Sequence, residues 1–275
     1  MKRGYGVLSF LGLDLQFGKD SQWWGPGYHG ALLLSNNAKP MRILKITNPH
    51  PILLPWVFKY LGPFRFVFFV TRLEKERTIP EPYLWDTRIN FKPHPYLEIG
   101  LQRTALLGGR GRPENLKTWL RSLIGKGENI STKEASDQRA GFDMKLTLPF
   151  KFQPLQVYLE AAGEDSTNYL PVKWAYLMGI YLPRVFSFER ISIKGEYATT
   201  HVKGYPNVWY THHIYGPEAY TYKGRTIGHH MGTDSKDIFL ELSYLHDINK
   251  SISISYHREE HNLCTLLQRL KIWKA

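Results

Sequence analysis

Strict alternation of apolar and polar residues is the feature that most constrains this chain. In KSISISYHR (250–258), Ile252, Ile254 and Tyr256 alternate with Ser251, Ser253, Ser255 and His257. Successive side chains of a strand point to opposite faces, so this segment has one apolar and one polar face. In DIFLELSYL (237–245), Ile238, Leu240, Leu242 and Tyr244 share one face. LWDTRINFK (84–92) sets Trp85, Thr87, Ile89 and Phe91 against Asp86, Arg88, Asn90 and Lys92. GFDMKLTLP (141–149), PLQVYLEAA (154–162) and ERISIKGEYAT (189–199) repeat the pattern. Helical spacing is clear only in ENLKTWLRSLI (114–124).

The alternation predicts eleven strands, at 7–17, 41–48, 63–73, 83–91, 96–103, 141–149, 155–162, 173–181, 187–199, 237–245 and 251–259. Most approach the ~9–11 residues with which a tilted strand crosses a bilayer. In chain order, the first, fifth and ninth connections are long (18–40, 104–140 and 200–236). The fourth, sixth, eighth and tenth are short: KPHP, FKFQP, LPRVF and HDINK. In an up-and-down meander, alternate connections lie at the same end. Long loops at one end and tight turns at the other are the layout of an outer-membrane barrel. The second connection, 49–62, is an exception.

Alternation alone also suits a soluble sandwich with its polar faces outward. Three features favour the membrane. They are the loop layout, the strand count, and an aromatic content of 14% in residues that favour strands and membrane–water boundaries. The expected fold is therefore all-β: an antiparallel transmembrane outer-membrane β-barrel in the cell outer membrane, in contact with its lipid. Bacterial single-chain barrels usually have an even number of strands, so an odd count predicts an incomplete one. The barrel is expected to occupy 1–260, with an atypical tail at 261–275 that breaks the alternation. MKRGYGVLSFLGL has a basic start and a short apolar segment, yet no small-residue cleavage site follows. It reads as a strand, so no signal peptide is expected in this chain.

The net charge of +12 suits an anionic partner. The unusual residues gather in the long loops. The first contains Trp23, Trp24 and His29, the fifth Arg110 and Arg112 between glycines, and the ninth Tyr222, Arg225 and His229. Arginine offers a planar fork to carboxylates, glycine lets a ligand approach closely, and flat rings can stack on sugars. These residue types suit an anionic polymer of ring-shaped units. Trp23, Trp24, Arg110, Arg112, Tyr222, Arg225 and His229 are accordingly the candidate polysaccharide-binding residues, although the tryptophans would equally serve an interfacial girdle.

Other chemistries fit less well. GGRGRP lacks the lysine and the serine or threonine of a phosphate-binding P-loop. The pairs His212–His213 and His229–His230 are poor chelators if they lie on strands, where neighbours face opposite ways, and no metal site or cofactor is expected. Glu164–Asp165 cannot by adjacency flank a glycosidic bond, so no catalytic residue is expected. A single cysteine, Cys264, excludes an internal disulfide. No nucleic-acid-binding module is recognisable.

Several segments in this order resemble the Wzi family of capsule assembly proteins: FGKDSQWWGPGYHGALLLSNNA, RILKI, GPFRFVFFVTRLEKER, LWDTRINFKPHPYLEIGLQRTALLGGRGRP, DQRAGFDMKLTLP, YLEAAGED, LPVKWAYLMGIYLP and YTYKGRTIGHHMGTDS. They run from about Leu13 to about Glu241. The resemblance implies an outer-membrane β-barrel lectin that holds capsular or related exopolysaccharide at the bacterial surface and catalyses no reaction. It does not supply a set of sugar-contacting residues. A porin-like channel and a carbohydrate-active enzyme are the alternatives. Lys19 follows Gly18 where the family often has arginine, and EEHNLCTLLQRLKIWKA departs from it. Together with the further N-terminal sequence that family members carry, these departures lead us to expect a fragment.

Overall fold

Twelve strands pair in chain order, each antiparallel to the next. They are β1 (Gly4–Phe10), β2 (Leu13–Asp20), β3 (Met41–Thr47), β4 (Pro63–Arg72), β5 (Tyr83–His94), β6 (Leu97–Leu107), β7 (Ser136–Leu148), β8 (Leu155–Glu164), β9 (Trp174–Leu182), β10 (Ile191–Thr199), β11 (Lys236–Asp247) and β12 (Lys250–Glu260). The computed structural model describes residues 3–125, 136–164, 166–167 and 170–262. Most of the expected tail at 261–275 lies outside the described residues. A two-residue strand, Ile52–Leu53, also pairs with the start of β4. Among the described residues the sheet does not close, since β1 and β12 each pair on one side only.

The expected first strand, 7–17, is two strands. Phe10 pairs with Leu13 across a two-residue turn at Leu11 and Gly12, where φ is 49° and 77°. Both positions must take positive φ, which Asn-Gly or Asp-Gly would have advertised; leucine does not. The correction makes the count even, so the incomplete barrel rests on the open sheet and not on an odd number of strands. It also shifts the numbering of the connections, while the long loops stay together. Segments 21–40, 73–82, 108–135, 165–173 and 200–235 leave one end of the sheet. The other end carries the turns at 11–12, 95–96, 149–154, 183–190 and 248–249. The exception persists there: 48–62 contains a short 3-10 helix, Trp56–Leu61. The expected α-helix forms at Leu116–Leu123 (α1), where the Asn115 side chain accepts a hydrogen bond from Thr118 N–H at 3.0 Å.

The two faces of the sheet are inside out relative to a soluble protein. Leu101, Phe142, Met178, Leu240, Ile252 and Ile254 are exposed, while Asp86, Arg88, Asp143, Glu160 and Glu196 are buried. Leaving a large apolar side chain in water forfeits roughly 1.5–3 kcal/mol, so an outer face built this way calls for an apolar surrounding. The buried charges would each cost several kcal/mol unless paired. The cations among them are paired: Arg88 Nη1 and Nη2 meet the Asp143 oxygens at 2.6 and 2.9 Å, and the buried Arg139 Nη2 lies 2.6 Å from Glu164 Oε1 and 3.2 Å from Asp137 Oδ2.

Two glycines inside strands make room for these pairs. Gly100 on β6 sits between Arg88 of β5 and Asp143 of β7, and a Cβ there would lie 2.4 Å from both side chains. Gly179 on β9 does the same for Tyr158 of β8, whose ring crosses it to donate to Glu196 Oε2 on β10 at 2.8 Å.

Candidate functional site

The first long loop, 21–40, folds back against the polar inner face, and the carboxylates of that face hold its backbone. Glu196 accepts from the N–H groups of Tyr28 (2.7 Å), His29 (3.2 Å) and Gly30 (2.9 Å). Glu160 Oε1 accepts from Leu32 N–H at 3.1 Å and from Gln102 Nε2 at 2.9 Å. These acceptors satisfy backbone donors that the folded-in loop would otherwise bury unpaired.

The last long loop, 200–235, packs onto the first. Tyr210 N–H donates to Glu164 Oε2 at 3.0 Å, and its hydroxyl donates to Leu32 carbonyl at 2.6 Å. Tyr220 hydroxyl donates to Leu33 carbonyl at 3.0 Å. The two rings stack 5.7 Å apart, and the Arg139 guanidinium lies 4.4 Å from the Tyr220 ring centre. Burial raises the hydroxyl pKa of both tyrosines, which stay protonated as donors. Ser35 N–H donates to Ile227 carbonyl at 3.0 Å, which joins the loops side by side. Leu32, Leu33 and Leu34 are fully buried among Tyr210, Tyr215 and Tyr220. Loop residues thus form the main hydrophobic cluster, and the polar wall surrounds it.

The structure distributes the sequence-predicted residues between the interior and the surface. Trp24 is buried, bridged to Leu34 and edge-on to Phe69 at 5.6 Å. Trp23 is half-buried, its Nε1 donating to Gly27 carbonyl at 3.2 Å. His229 is fully buried beside Gly30, where a Cβ would lie 2.1 Å from its ring. Burial and then the adjacent His230 push its imidazole down to about 3. Neither Trp24 nor His229 offers a surface to a polymer.

The other four gather around one segment, 73–82, that sequence reasoning passed over. Arg110 is exposed, with Nη2 3.7 Å from Glu81 Oε2 and its N–H donating to Pro80 carbonyl at 2.8 Å. Arg112 lies over the Tyr215 ring at 5.3 Å. Arg225, exposed, pairs with the half-buried Tyr222 in a small hairpin. Arg77 and Glu74 secure that hairpin: Arg77 Nη2 donates to the Glu218 and Ala219 carbonyls at 2.9 and 2.7 Å, and Glu74 accepts from Lys223 N–H at 3.0 Å.

Beside this cluster opens a cleft of about 660 Å³ whose lining includes Lys173, Tyr205, Asn207, Thr211, His212 and His213. Tyr205 is half exposed, and Lys173 Nζ lies 5.0 Å from its ring centre. Trp209 Nε1 donates to Lys173 carbonyl at 2.8 Å and fixes that residue at the rim. The volume falls within the ~300–1,000 Å³ range of small-ligand sites. The aromatic and histidine density of YPNVWYTHH was the available signal for it. Glu164 reaches the cleft floor with its carboxylate already occupied by Arg139 and Tyr210; Asp165 lies outside the described residues.

An antiparallel meander with an apolar outer face, a charged inner face and its long loops at one end defines an outer-membrane β-barrel. The sequence pattern of the family described as capsule assembly protein Wzi matches residues 1–266, and the chain belongs to that family. It is 31% identical over 178 residues to a 55.8 kDa protein in the cps region of Klebsiella pneumoniae, covering 64% of this chain and 35% of the relative. Its fold matches a solved structure of Wzi from Escherichia coli with a TM-score of 0.79 and 27% identity. That protein is described as an outer-membrane, carbohydrate-binding β-barrel involved in group 1 capsule assembly, and the match covers 94% of this chain and 56% of the other. This chain therefore spans about a third to just over half the length of these relatives.

Proposed function

We propose that the loop end of this barrel binds an acidic surface polysaccharide and retains it at the cell surface without modifying it. The observation that carries this reading is the cleft walled by Tyr205, Asn207, Thr211, His212, His213 and Lys173. A ring for stacking, several hydrogen-bonding groups and a cation stand together there, as an anionic sugar requires. Family membership and the carbohydrate-binding relative support it. Arg110, Arg112, Tyr222 and Arg225 extend the same rim, and Trp23 is a further contact. Each exposed ionic contact contributes about 0–1 kcal/mol, so the polymer is held by many weak contacts along its length.

The packed loop core favours a plugged barrel over a porin-like channel. The occupied Glu164 carboxylate favours binding over hydrolysis. The test is binding of an acidic capsular polysaccharide to the purified protein at low salt. Tyr205→Ala should weaken binding about tenfold, equivalent to about 1.4 kcal/mol. Arg110→Ala with Arg112→Ala should lessen the salt dependence, because exposed charges are screened beyond ~8 Å at physiological ionic strength. Absence of binding at low salt would remove the lectin reading. Sugar release would favour the enzyme, and single-channel conductance the pore.

A further inference from the structure

We propose that His29, His230, Asp237 and His257 form a site for one divalent transition-metal ion of the zinc class. The four come from three parts of the chain: the first long loop, the last long loop, and the hairpin of β11 and β12. One donor atom from each lies within 4.8 Å of all the others. Three Nε2 atoms converge on a single oxygen, Asp237 Oδ2, at 3.8 Å (His29), 2.9 Å (His230) and 3.1 Å (His257). A tetrahedral ion with bonds of about 2.0–2.1 Å separates its ligands by about 3.3–3.5 Å. The observed distances bracket that spacing.

Sequence reading dismissed the histidine pairs because strand neighbours face opposite ways. That argument does not apply, because the ligands are not a pair. His230, on a loop, joins His29 and His257 from elsewhere. The strand register supplies the rest. Asp237 pairs directly with Glu259 and Phe239 with His257, so alternation places Asp237, His257 and Glu259 on one polar face. His29 is aimed by stacking on Phe239 at 4.0 Å.

Hydrogen bonding alone leaves this arrangement unfinished. Nε2 of His29 is buried without a hydrogen-bond partner, and Nε2 of His230, although 2.9 Å from Asp237 Oδ2, does not meet it in good hydrogen-bond geometry. One carboxylate oxygen has too few lone pairs to receive three N–H donors in good geometry. A cation accepts all three imidazole lone pairs and the carboxylate together. Glu259 Oε1, 3.0 Å from His230 Nε2 and 3.4 Å from His257 Nε2, stands ready as a fifth oxygen or as a hydrogen-bond partner to the ligands. Three imidazoles and a carboxylate suit zinc, nickel or copper rather than calcium or magnesium, which take oxygen. Four protein ligands describe a closed, structural site. Its effect would be to fasten both long loops to the last hairpin.

The 275-residue chain, refolded in detergent and stripped with chelator, is titrated with cobalt(II) and then with zinc. We expect one equivalent of cobalt with the intense visible absorption of tetrahedral coordination, displaced by zinc. His29→Gln with His257→Gln should weaken binding by roughly 100-fold or more. His212→Gln with His213→Gln should leave it unchanged. A second measurement needs no variant: zinc should protect His29, His230 and His257 of the wild-type chain from diethyl pyrocarbonate. Absence of tetrahedral cobalt absorption would overturn the proposal. So would undiminished binding in a folded His29/His257 variant, loss of binding in the His212/His213 variant, or equal labelling of the three histidines with and without zinc.

Discussion

The two ends of this sheet use the same residue types in opposite ways. At the short-turn end, Trp56, Tyr60 and Phe152 are between 74% and 84% exposed. Residues of the same kinds at the loop end, Trp209, Tyr215 and Tyr220, are fully buried. The connections that carry these rings, 48–62 and 149–154, leave them uncovered, so each ring meets whatever surrounds the barrel, as aromatic belts do at a membrane–water boundary. The loops at the other end fold inward against the polar face, and their aromatics build a core. Aromatic content therefore says little about function until it is known which way the connection carrying it folds.

The comparison is tested most severely by removing the buried cation of the loop end. Arg139→Met leaves Asp137 and Glu164 as uncompensated buried carboxylates and should cost about 3–5 kcal/mol. Lys250→Met, exposed beside a tight turn, should stay within about 0.5 kcal/mol. Urea midpoints of the detergent-folded chain measure both. Similar losses would mean that the two ends are equally rigid.

Depth along the strand gives the next largest effect. Leu240→Arg, in the middle of β11 on the exposed apolar face, should cost about 2–4 kcal/mol in a bilayer. The same change at Ile248, in the turn, should cost only about 0–1 kcal/mol. Folding yields into lipid vesicles would distinguish the two, and equal tolerance would count against membrane insertion.

Glycine substitutions sharpen the contrast at a smaller scale. A Cβ at Gly30 meets the His229 ring at 2.1 Å, so Gly30→Ala should cost about 1–3 kcal/mol by overpacking. At Gly12 a Cβ meets nothing within 4 Å, and only the φ of 77° opposes the change. Gly12→Ala should therefore cost roughly 1 kcal/mol. Protease cleavage within 21–40 should rise for the first variant alone.

The smallest effect is a pH dependence at the rim. Partial burial raises the Glu218 carboxyl, but hydrogen bonds from the Thr78 hydroxyl and N–H more than offset it, so its pKa lies below the ordinary 4.5. A carboxylate depressed in the folded state stabilises above its unfolded pKa and loses that contribution as pH falls through the folded value. Glu218→Gln should flatten the stability profile below pH 4.5 and cost at most about 1 kcal/mol at neutral pH.

The sheet was legible because each strand carries its own instruction. Ile252, Ile254 and Tyr256 mark the outer face of β12 without reference to any other segment, and the helix at Leu116–Leu123 announced itself by spacing. The hairpin at Leu11 and Gly12 was lost because its first turn residue is not one that favours positive φ. The loop interior was illegible for a different reason. Tyr28 and Glu196 are 168 residues apart, and Tyr210 and Glu164 are 46 apart. No local pattern records such partners. Gly100 and Gly179 read as weak points in strands, and their purpose is visible only once neighbouring strands supply the side chains that cross them. The binding candidates followed the same rule. Arg110 and Arg225 stay at the surface, whereas Trp24 and His229, chosen for their chemistry alone, answer to partners elsewhere in the chain.

The grip of Glu196 on Tyr28, His29 and Gly30 falls on their amide hydrogens, which every residue except proline possesses. A wall that recognises the main chain is indifferent to most side chains mounted on it. Position 28 can then change its identity over generations while the loop keeps its path, and the single substitution barred outright is the one that deletes the hydrogen. If the rim binds polysaccharide as proposed, such a mounting lets the scaffold be inherited intact while the display is redrawn residue by residue.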